Sequence, residues 1–321
     1  DWQVTIPFDQ HPVSYNPDSG YIVTANNAIV TDDYEHFLSR DWDYGHRAAR
    51  IVEELEAMLE VGSVTVDDMA ELHMDNEFPT ADALQEAYAS IDVDDAEVQE
   101  AIALLADWDG QNDPDSAGAA FANVLWNHVT HAMVRTQETD IPRDDQSRYA
   151  VFFQAQLEDP DSPWWGDSQE QLLTDAAVTA YEELTDEQGS NSQDWNWGDL
   201  HALTLTHESF GTSGIGPIEA LFNRGPYPVG GGSGVVNATG WDLDEGYATT
   251  TVPSMRMVVD VDDWDNSVWH NLTGTSGHAF HPNYTDQAED WARGEQYPWH
   301  YSADVLEQHW EDTLVLQPSG D

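Results

Sequence analysis

Cysteine and lysine are both absent from this chain of 321 residues, and each absence narrows what the protein can be. Without cysteine, the chain forms no disulfide and offers no thiolate ligand to a metal. Without lysine, its nine basic residues are all arginines, and they face 62 acidic residues. No apolar run approaches the roughly 18 residues of a membrane-spanning helix, so the sequence predicts no membrane span.

The formal net charge of −53 dominates the surface of the protein. Such a surface repels nucleic-acid phosphates, which excludes nucleic acid as a partner. Its own charges also repel each other until dense salt shortens the screening length, to roughly 3 Å at about 1 M. The 14 tryptophans and 40% hydrophobic residues are too apolar for a disordered acidic chain. The composition therefore favours a folded protein from an extreme halophile of archaeal origin.

Three sections of different composition follow each other along the chain. Residues 1–44 contain turns and one predicted strand. Apolar residues recur at helical spacing through residues 45–190, as Leu55 and Leu59 do. Residues 191–321 carry less charge and more glycine, threonine and valine, which predicts strands with a helical tail. Helices followed by strands favour the α+β class.

Several predicted helices begin at a recognisable capping residue. Thr65 and Asp68, for example, have the spacing of a capping box. The predicted helices cover residues 47–59, a segment that starts at 65–68, and residues 82–91, 95–106, 117–135 and 168–187. The predicted strands cover residues 202–206, 235–236, 249–252 and 255–261.

A stretch near the start of the chain brings polar side chains to the end of a predicted strand. Residues 16–20, Asn-Pro-Asp-Ser-Gly, have turn chemistry. The aromatic and β-branched residues 21–24 then predict a short strand. Asn26 and Asn27 follow this strand, and Arg47 begins the next helix. An amide held at a strand end is well placed to donate a hydrogen bond into a site.

These motifs, with others along the chain, resemble the β-chain of the penicillin acylases, a branch of the N-terminal-nucleophile hydrolases. The match covers essentially the whole sequence and is weakest across residues 135–190. The motifs that carry it are Pro-Phe-Asp at 7–9, Asn-Pro-Asp-Ser-Gly-Tyr-Ile at 16–22, Asn26-Asn27, Arg47, Trp-Gly-Asp-Leu-His at 197–201, Pro-Val-Gly-Gly at 228–231, Ser-Met-Arg-Met-Val-Val-Asp at 254–260 and His-Pro-Asn-Tyr-Thr-Asp-Gln at 281–287.

The resemblance implies part of an αββα sandwich with a large helical middle section. It also implies that residues 1–321 are the C-terminal portion of a β-chain, because the family's nucleophile, an N-terminal serine, is expected well before Asn26. The absent α-chain and the first part of the β-chain are then the expected protein partners. The chemistry requires no cofactor, although a structural calcium is expected in the intact enzyme. The family also suggests a location outside the cytoplasm.

For the intact enzyme, the resemblance implies hydrolysis of N-acyl amide bonds in small molecules of the penicillin or acyl-homoserine-lactone type. The reaction would pass through an acyl-enzyme on the absent serine. Asn26 takes the role of oxyanion donor, and Arg47 takes the role of the residue that orients it. This chain alone is expected to be inactive.

Each of these assignments has a structural alternative. An Asx turn at the strand end would also explain Asn26, and it is the preferred interpretation of Asn27. An ion pair with a carboxylate would also explain Arg47. For the chain as a whole, the alternative is a non-catalytic split or decayed relative that acts as a binding or assembly module.

Histidine pairs and a glycine-rich segment suggest two further kinds of site. A zinc hydrolase would need a third ligand beside one of the pairs, and the sequence shows no obvious one. The pairs are His128 with His131, His201 with His207, and His278 with His281. Residues 230–234 lack the glycine spacing of a phosphate-binding loop, so they are predicted to form an ordinary loop.

Overall fold

Helices occupy most of the middle of the chain, and strands concentrate in its last third. The computed structural model describes residues 5–137 and 146–318. The helices are α1 His46–Val61, α2 Val66–Leu72, α3 Ala81–Tyr88, α4 Ala96–Asp107, α5 Ala117–Thr136, α6 Gln146–Leu157, α7 Gln169–Gln188, α8 Trp197–Leu200, α9 Gly216–Phe222, α10 Ala288–Ala292 and α11 Ala303–His309. The strands are β1 Ala202–Leu205, β2 Arg224–Pro228, β3 Gly240–Asp242, β4 Gly246–Thr251, β5 Met255–Val258, β6 Val268–Asn271 and β7 Tyr297–Pro298. The predicted α+β class is confirmed.

Side-chain caps fix the starts of the predicted helices. Thr65 and Asp68 form a complete capping box at the start of α2. Asp95 caps α4, Ser116 caps α5 and Ser168 caps α7, each by accepting hydrogen bonds from the first turn. The six helices predicted from the sequence are all present, within a few residues of their predicted bounds.

The described residues divide into two compact units. The first contains residues up to 62 and residues 74–252, and the second contains residues 63–73 and 253–318. The boundaries of these two units do not coincide with the boundaries of the three sections of different composition, residues 1–44, 45–190 and 191–321.

The core of the first unit surrounds α5. Every residue of this helix from Gly118 to Trp126 is buried, and α7 and α4 pack beside it. Trp126 packs edge-on against Phe153 of α6, with 5.5 Å between ring centroids. Helix α6 was not predicted from the sequence, and its buried Tyr149 and Phe153 show that it belongs to this core.

A four-stranded sheet completes the first unit, in the order β2-β1-β4-β3. Strands β1 and β4 are parallel, and the other two pairs are antiparallel. Strand β2 contains Pro226 and Pro228 and lies at the edge of the sheet. Proline has no backbone N–H, and an edge strand tolerates this because one of its sides forms no hydrogen bonds to another strand.

The second unit is built on a three-stranded antiparallel sheet in the order β5-β6-β7. Helix α2 packs against β5, and α10 packs against β6. Arg256 on β5 is buried; it donates to the Trp291 carbonyl oxygen at 2.8 Å and lies 4.1 Å from the centroid of the Trp291 ring. Burial lowers the pKa of Arg256 to about 10.

Two predicted strands are wrong. Residues 21–24 have no regular secondary structure and pair with no strand in the described part of the chain. The backbone turns sharply on both sides, at Asn16 and Asn26, where φ is 47° and 64°. Residues 235–236 lie in a tight bend that buries Val235. In both segments, strand propensity has no neighbouring strand to satisfy it.

None of the helices among the described residues combines the length and the apolar character needed to cross a membrane.

Candidate active site

Residues 5–44 form an irregular segment, here called the N-terminal arm, whose surface is mostly exposed. Ala25 is the single buried residue in this range. Large apolar side chains of the arm lie in solvent, among them Phe8 at 92% exposure and Tyr15 at 91%. The arm reaches α1 through Tyr21, whose hydroxyl donates to Glu56 Oε1 at 2.7 Å.

Asn26 sits where the arm turns back toward α1. Its φ of 64° is left-handed, a conformation that asparagine tolerates better than most residues. Its carbonyl oxygen accepts from the Asp43 backbone N–H at 2.8 Å. The neighbouring Asn27 forms an isolated parallel bridge with Asp43, and its Oδ1 accepts from the Ala25 N–H at 3.0 Å. The bridge and these bonds hold Asn26 in place without a strand.

Arg47 reaches Asn26 from the first turn of α1. The helix begins after Gly45, which has a φ of 94°. Arg47 Nη2 donates to Asn26 Oδ1 at 2.8 Å and to the Ala25 carbonyl oxygen at 3.0 Å. The contact predicted from the sequence, between residues 21 positions apart, is therefore present. The catalytic and orienting roles assigned to these two residues stay predictions.

The bond from Arg47 fixes which way the amide of Asn26 faces. Because Oδ1 is occupied by the guanidinium, Nδ2 is directed away from Arg47. Within residues 5–137 and 146–318, no protein group accepts a hydrogen bond from Asn26 Nδ2, and Asn26 itself is exposed. A neutral N–H donor at this position is available to a ligand at any working pH.

Asp43 is a further member of the site that the sequence analysis missed. Its Oδ1 accepts from the Gly45 N–H at 2.8 Å, its Oδ2 lies 3.5 Å from Arg47 Nη2, and the Ser147 hydroxyl donates to Oδ2 at 3.3 Å. A signal was present: an aspartate two residues before a glycine is typical of an Asx turn, and Asp43 and Arg47 are spaced as an i,i+4 pair.

Arg50, one turn further along α1, binds carboxylates on two segments. Its guanidinium lies 2.8 Å from Asp75 Oδ2 and 2.8 Å from Glu77 Oε2, which lie outside the helix, and it also pairs with Glu53 and Glu54 of α1. Burial raises the pKa of Glu77, while Arg50 acts against this shift. Ion pairs with carboxylates therefore hold the Arg50 guanidinium in place.

A polar cleft of about 200 Å³ lies beside Arg47 and Arg50. His46, Glu77 and Val236 also line it. Burial lowers the pKa of His46, although nearby Asp43 acts in the opposite direction. The cleft adjoins the side of the site on which Arg47 lies.

The histidine pairs do not form a metal centre in the described part of the chain. There, no three histidine, cysteine, aspartate or glutamate residues are grouped so that they could hold a metal ion. His201 is fully buried, with Nδ1 2.7 Å from the Tyr247 carbonyl oxygen, and burial lowers its pKa to about 4. His128 Nε2 instead lies 2.6 Å from Glu183 Oε2.

The glycine-rich segment at 230–234 is a packed loop, as predicted. The Asn237 side chain donates to the Gly230 carbonyl oxygen at 3.3 Å and to Asn76 Oδ1 at 2.9 Å. Gly231 has a φ of 91°, and a side chain there would clash with the Asn237 backbone. The segment therefore serves packing, with its glycines required by close backbone approach.

Comparison with known proteins shows which family this chain is similar to. The family model described as penicillin amidase matches residues 1–308. The penicillin acylase 2 proenzyme of Pseudomonas sp. (strain SE83) is 29% identical over 327 residues, which are 95% of this chain and 40% of that protein. The acyl-homoserine lactone acylase QuiP of Pseudomonas aeruginosa is 26% identical over 357 residues, 96% of this chain and 41% of that protein.

A solved structure shows the same fold. The thermostable penicillin G acylase from Alcaligenes faecalis aligns with a TM-score of 0.53 and 17% identity, over 100% of this chain and 61% of that one. Because the family model matches nearly the whole sequence, this chain belongs to the penicillin amidase family. It spans about two fifths of the length of the curated relatives it matches.

Proposed function

We propose that this chain is the part of an N-acyl amide hydrolase that supplies the oxyanion donor, Asn26. The observation that carries the proposal is the 2.8 Å hydrogen bond from Arg47 Nη2 to Asn26 Oδ1, which leaves Asn26 Nδ2 directed outward and unbonded among the described residues. Family membership supports the reaction class. The complete enzyme comprises this chain together with the segments that its relatives carry outside the matched region.

The proposed reaction has two acyl-transfer steps. A hydroxyl supplied from outside this chain attacks the amide carbonyl, and the carbonyl electrons move onto oxygen. Asn26 Nδ2–H donates to that oxyanion, which needs the hydrogen bond more than the ground-state carbonyl does. The C–N bond then breaks, the amine leaves with a proton, and an ester remains. Water repeats the attack on this ester and releases the acid.

Arg47 and Asp43 act in this proposal as positioning residues. Arg47 donates to Asn26 Oδ1, which prevents the amide from rotating its oxygen toward the substrate. Asp43 lies 3.5 Å from Arg47 Nη2 and also accepts from Gly45. The guanidinium is thus oriented by a carboxylate that is itself fixed by the helix start.

The nucleophile and the remaining walls of the site belong to segments outside this chain. The short coverage of the relatives supports this assignment. So does the N-terminal arm, which carries Asn26 yet exposes Phe8, Val13, Tyr15 and Phe37 to solvent. Apolar side chains in such number on an acidic protein are expected to be covered in the complete enzyme. Its substrates are proposed to be N-acyl amides of the kinds named for its relatives, penicillins and acyl-homoserine lactones.

The test is Asn26→Asp in the complete enzyme, assayed with penicillin G, a chromogenic phenylacetyl amide and an N-acyl-homoserine lactone. Aspartate keeps the oxygen that accepts from Arg47 and tolerates the left-handed backbone, but it removes the N–H donor. We expect kcat to fall by about a hundredfold to a thousandfold or more on whichever substrate is used.

Asn27→Asp is the matched control. It adds the same charge one residue away and keeps the oxygen that accepts from Ala25. Most activity should survive this change. Equal losses in both variants would show that added charge, and not a lost donor, is responsible. A complete protein that hydrolyses none of these amides would instead support the non-catalytic binding or assembly module.

A further inference from the structure

Three Asn-X-Thr triplets in the last third of the chain are not used by the proposed amide hydrolysis. A triplet of this kind, with any residue except proline in the middle, is the acceptor sequence for N-linked glycosylation of secreted proteins. Because so short a sequence also arises by chance, the surroundings of each triplet decide whether it can carry a sugar. The three are Asn237-Ala-Thr239, Asn271-Leu-Thr273 and Asn283-Tyr-Thr285.

The first triplet is closed to modification by the fold. Asn237 is 1% exposed, and its Nδ2 donates to Asn76 Oδ1 at 2.9 Å and to the Gly230 carbonyl oxygen at 3.3 Å. Thr239 is also buried, and its hydroxyl donates to the same carbonyl oxygen. A sugar on Asn237 Nδ2 would replace one of these hydrogen-bonding hydrogens and would have no space in the core.

The second triplet is partly buried and is engaged with the backbone. Asn271 ends β6, the central strand of its sheet, and pairs with Met255 of β5. Asn271 Nδ2 and the Thr273 hydroxyl both donate to the Gly274 carbonyl oxygen, at 3.5 Å and 3.4 Å. The two side-chain groups that define this acceptor sequence are therefore both occupied.

The third triplet is open to solvent. Asn283 is exposed and lies in a short 3₁₀ turn, Pro282–Tyr284. The turn is fixed through the backbone of Asn283, whose N–H donates to His281 Nδ1 at 3.1 Å and whose carbonyl oxygen accepts from the Ser276 N–H at 2.9 Å. In the described part of the chain, no protein group forms a hydrogen bond with Asn283 Nδ2 or with the Thr285 hydroxyl. The amide nitrogen is thus accessible on a fixed backbone.

We propose that Asn283 is an N-glycosylation site, which carries an oligosaccharide on its Nδ2 atom. The sugar donor belongs to the class of lipid-linked oligosaccharide phosphates, and a transferase outside this chain catalyses the reaction. Nδ2 attacks C1 of the first sugar, so that an N–C1 bond forms. The bond from C1 to the phosphate oxygen breaks, and its electron pair leaves with the phosphate. Nδ2 loses one proton to a base, and no group is oxidised or reduced.

The surroundings of Asn283 can accommodate a bulky hydrophilic group. His278 and His281 are exposed in the same segment, and Phe280 is 71% exposed. Because a sugar chain cannot be buried, the proposal assigns this part of the surface of the second unit to solvent in the complete enzyme. It also implies that the chain is exported, since this modification is found on secreted proteins.

Peptide mass spectrometry of the protein isolated from its native organism tests the proposal. Cleavage after Phe280 by chymotrypsin places Asn271 and Asn283 in separate peptides. We expect the peptide that contains Asn283 to carry the additional mass of one or more sugars, with fragment ions that locate it on this residue. The peptides with Asn237 and Asn271 are internal controls, and they should be unmodified.

Substitutions at the third position of the triplet provide matched variants, produced in the same organism. Thr285→Val removes the hydroxyl and keeps Asn283, so the additional mass should be lost completely. Thr285→Ser keeps the acceptor sequence and should retain the sugar. Thr273→Val is the same change in the second triplet and should leave the sugar on Asn283 unchanged. Circular dichroism in molar salt should show that each variant folds as the wild type does.

Every outcome of these measurements bears on the proposal. Unmodified Asn283 in the protein from its native organism would overturn it, as would a sugar found on Asn271 alone. A sugar on Asn283 that survives in Thr285→Val would show attachment without recognition of the acceptor sequence, which would also overturn it. Detection of the sugar does not depend on amide hydrolysis, so this proposal and the proposed function can fail separately.

Discussion

Helix α5 and the N-terminal arm are opposite extremes of burial within the same unit. From Gly118 to Trp126 every residue of α5 is buried, whereas Ala25 is the single buried residue of the arm. This half of the helix is held by close packing on all sides. The arm is held by a few directed hydrogen bonds, including those from Arg47 to Asn26 and Ala25. The candidate site therefore lies on the part of the unit that depends least on the core.

The largest expected effect concerns the core. Phe121 is fully buried in α5 and stacks at 6.2 Å on Trp195. Phe121→Ala should lower the free energy of unfolding by about 3–5 kcal/mol, because it leaves a cavity among fixed neighbours. Denaturant unfolding in molar salt measures the change. A loss below about 1 kcal/mol would mean that the core collapses easily around the vacancy.

Acid should weaken the buried part of the unit through His201. Burial lowers its pKa to about 4, from an ordinary value near 6.5. Above about pH 6.5 both the folded and the unfolded chain keep it neutral. As the pH falls from there toward 4, only the unfolded chain takes the proton, so up to about 3 kcal/mol of stability is lost.

The many carboxylates of the chain also titrate in this pH range. The effect of His201 is therefore measured as the difference in unfolding free energy between the wild type and a variant without this histidine. His201→Gln is less stable at neutral pH but lacks this titration. The gap in unfolding free energy between wild type and variant should therefore shrink as the pH falls from about 6.5 to 4. A gap independent of pH would show that His201 takes up its proton as readily in the folded protein as in the unfolded chain.

Arg47→Ala is expected to lower activity much more than it lowers stability. Loss of the bond to Asn26 Oδ1 frees the amide to rotate, so kcat of the complete enzyme should fall by about a hundredfold. Combined with Asn26→Asp it should cost little more, because the two residues act as one unit. Arg47→Lys should rescue only partly, since lysine lacks the planar fork. Fully additive losses in the double variant would reject the coupling.

The smallest effect is expected for an apolar residue of the arm. Phe8 is 92% exposed, so Phe8→Ala should change the unfolding free energy of the isolated chain by less than about 0.5 kcal/mol. In the complete enzyme the same substitution should cost clearly more, if other segments cover the arm. Equal small effects in both would mean that Phe8 stays in solvent, which would weaken the proposed completion of the site.

Local signals predicted the helical part of this fold. Capping by Thr65, Ser116 and Ser168 depends on residues within one turn, and these helices begin where the sequence places them. Strands depend on distant partners, which explains the errors: residues 21–24 have strand propensity but no neighbouring strand in the part of the chain that the structure describes. Strand β2 forms in spite of Pro226 because β1 lies beside it.

For the site, sequence reasoning found Asn26 and Arg47 through motif resemblance, and the structure brings them to 2.8 Å. It missed the left-handed backbone of Asn26, which lies where the arm turns back toward α1. It also missed Asp43, although its i,i+4 spacing from Arg47 was a local signal; only its contact with Ser147 depends on a distant segment. Hydrogen bonds and ion pairs between distant segments are the features of the site that a single sequence does not predict.

The positive φ of Asn26 bears on how the proposed activity could be lost in evolution. Most side chains at this position would strain the backbone, but aspartate tolerates it as asparagine does. Asparagine and aspartate codons differ by a single base. One point mutation would thus remove the proposed oxyanion donor without straining the backbone, so that an inactive descendant would still fold and would still be recognised by its sequence as a member of the family.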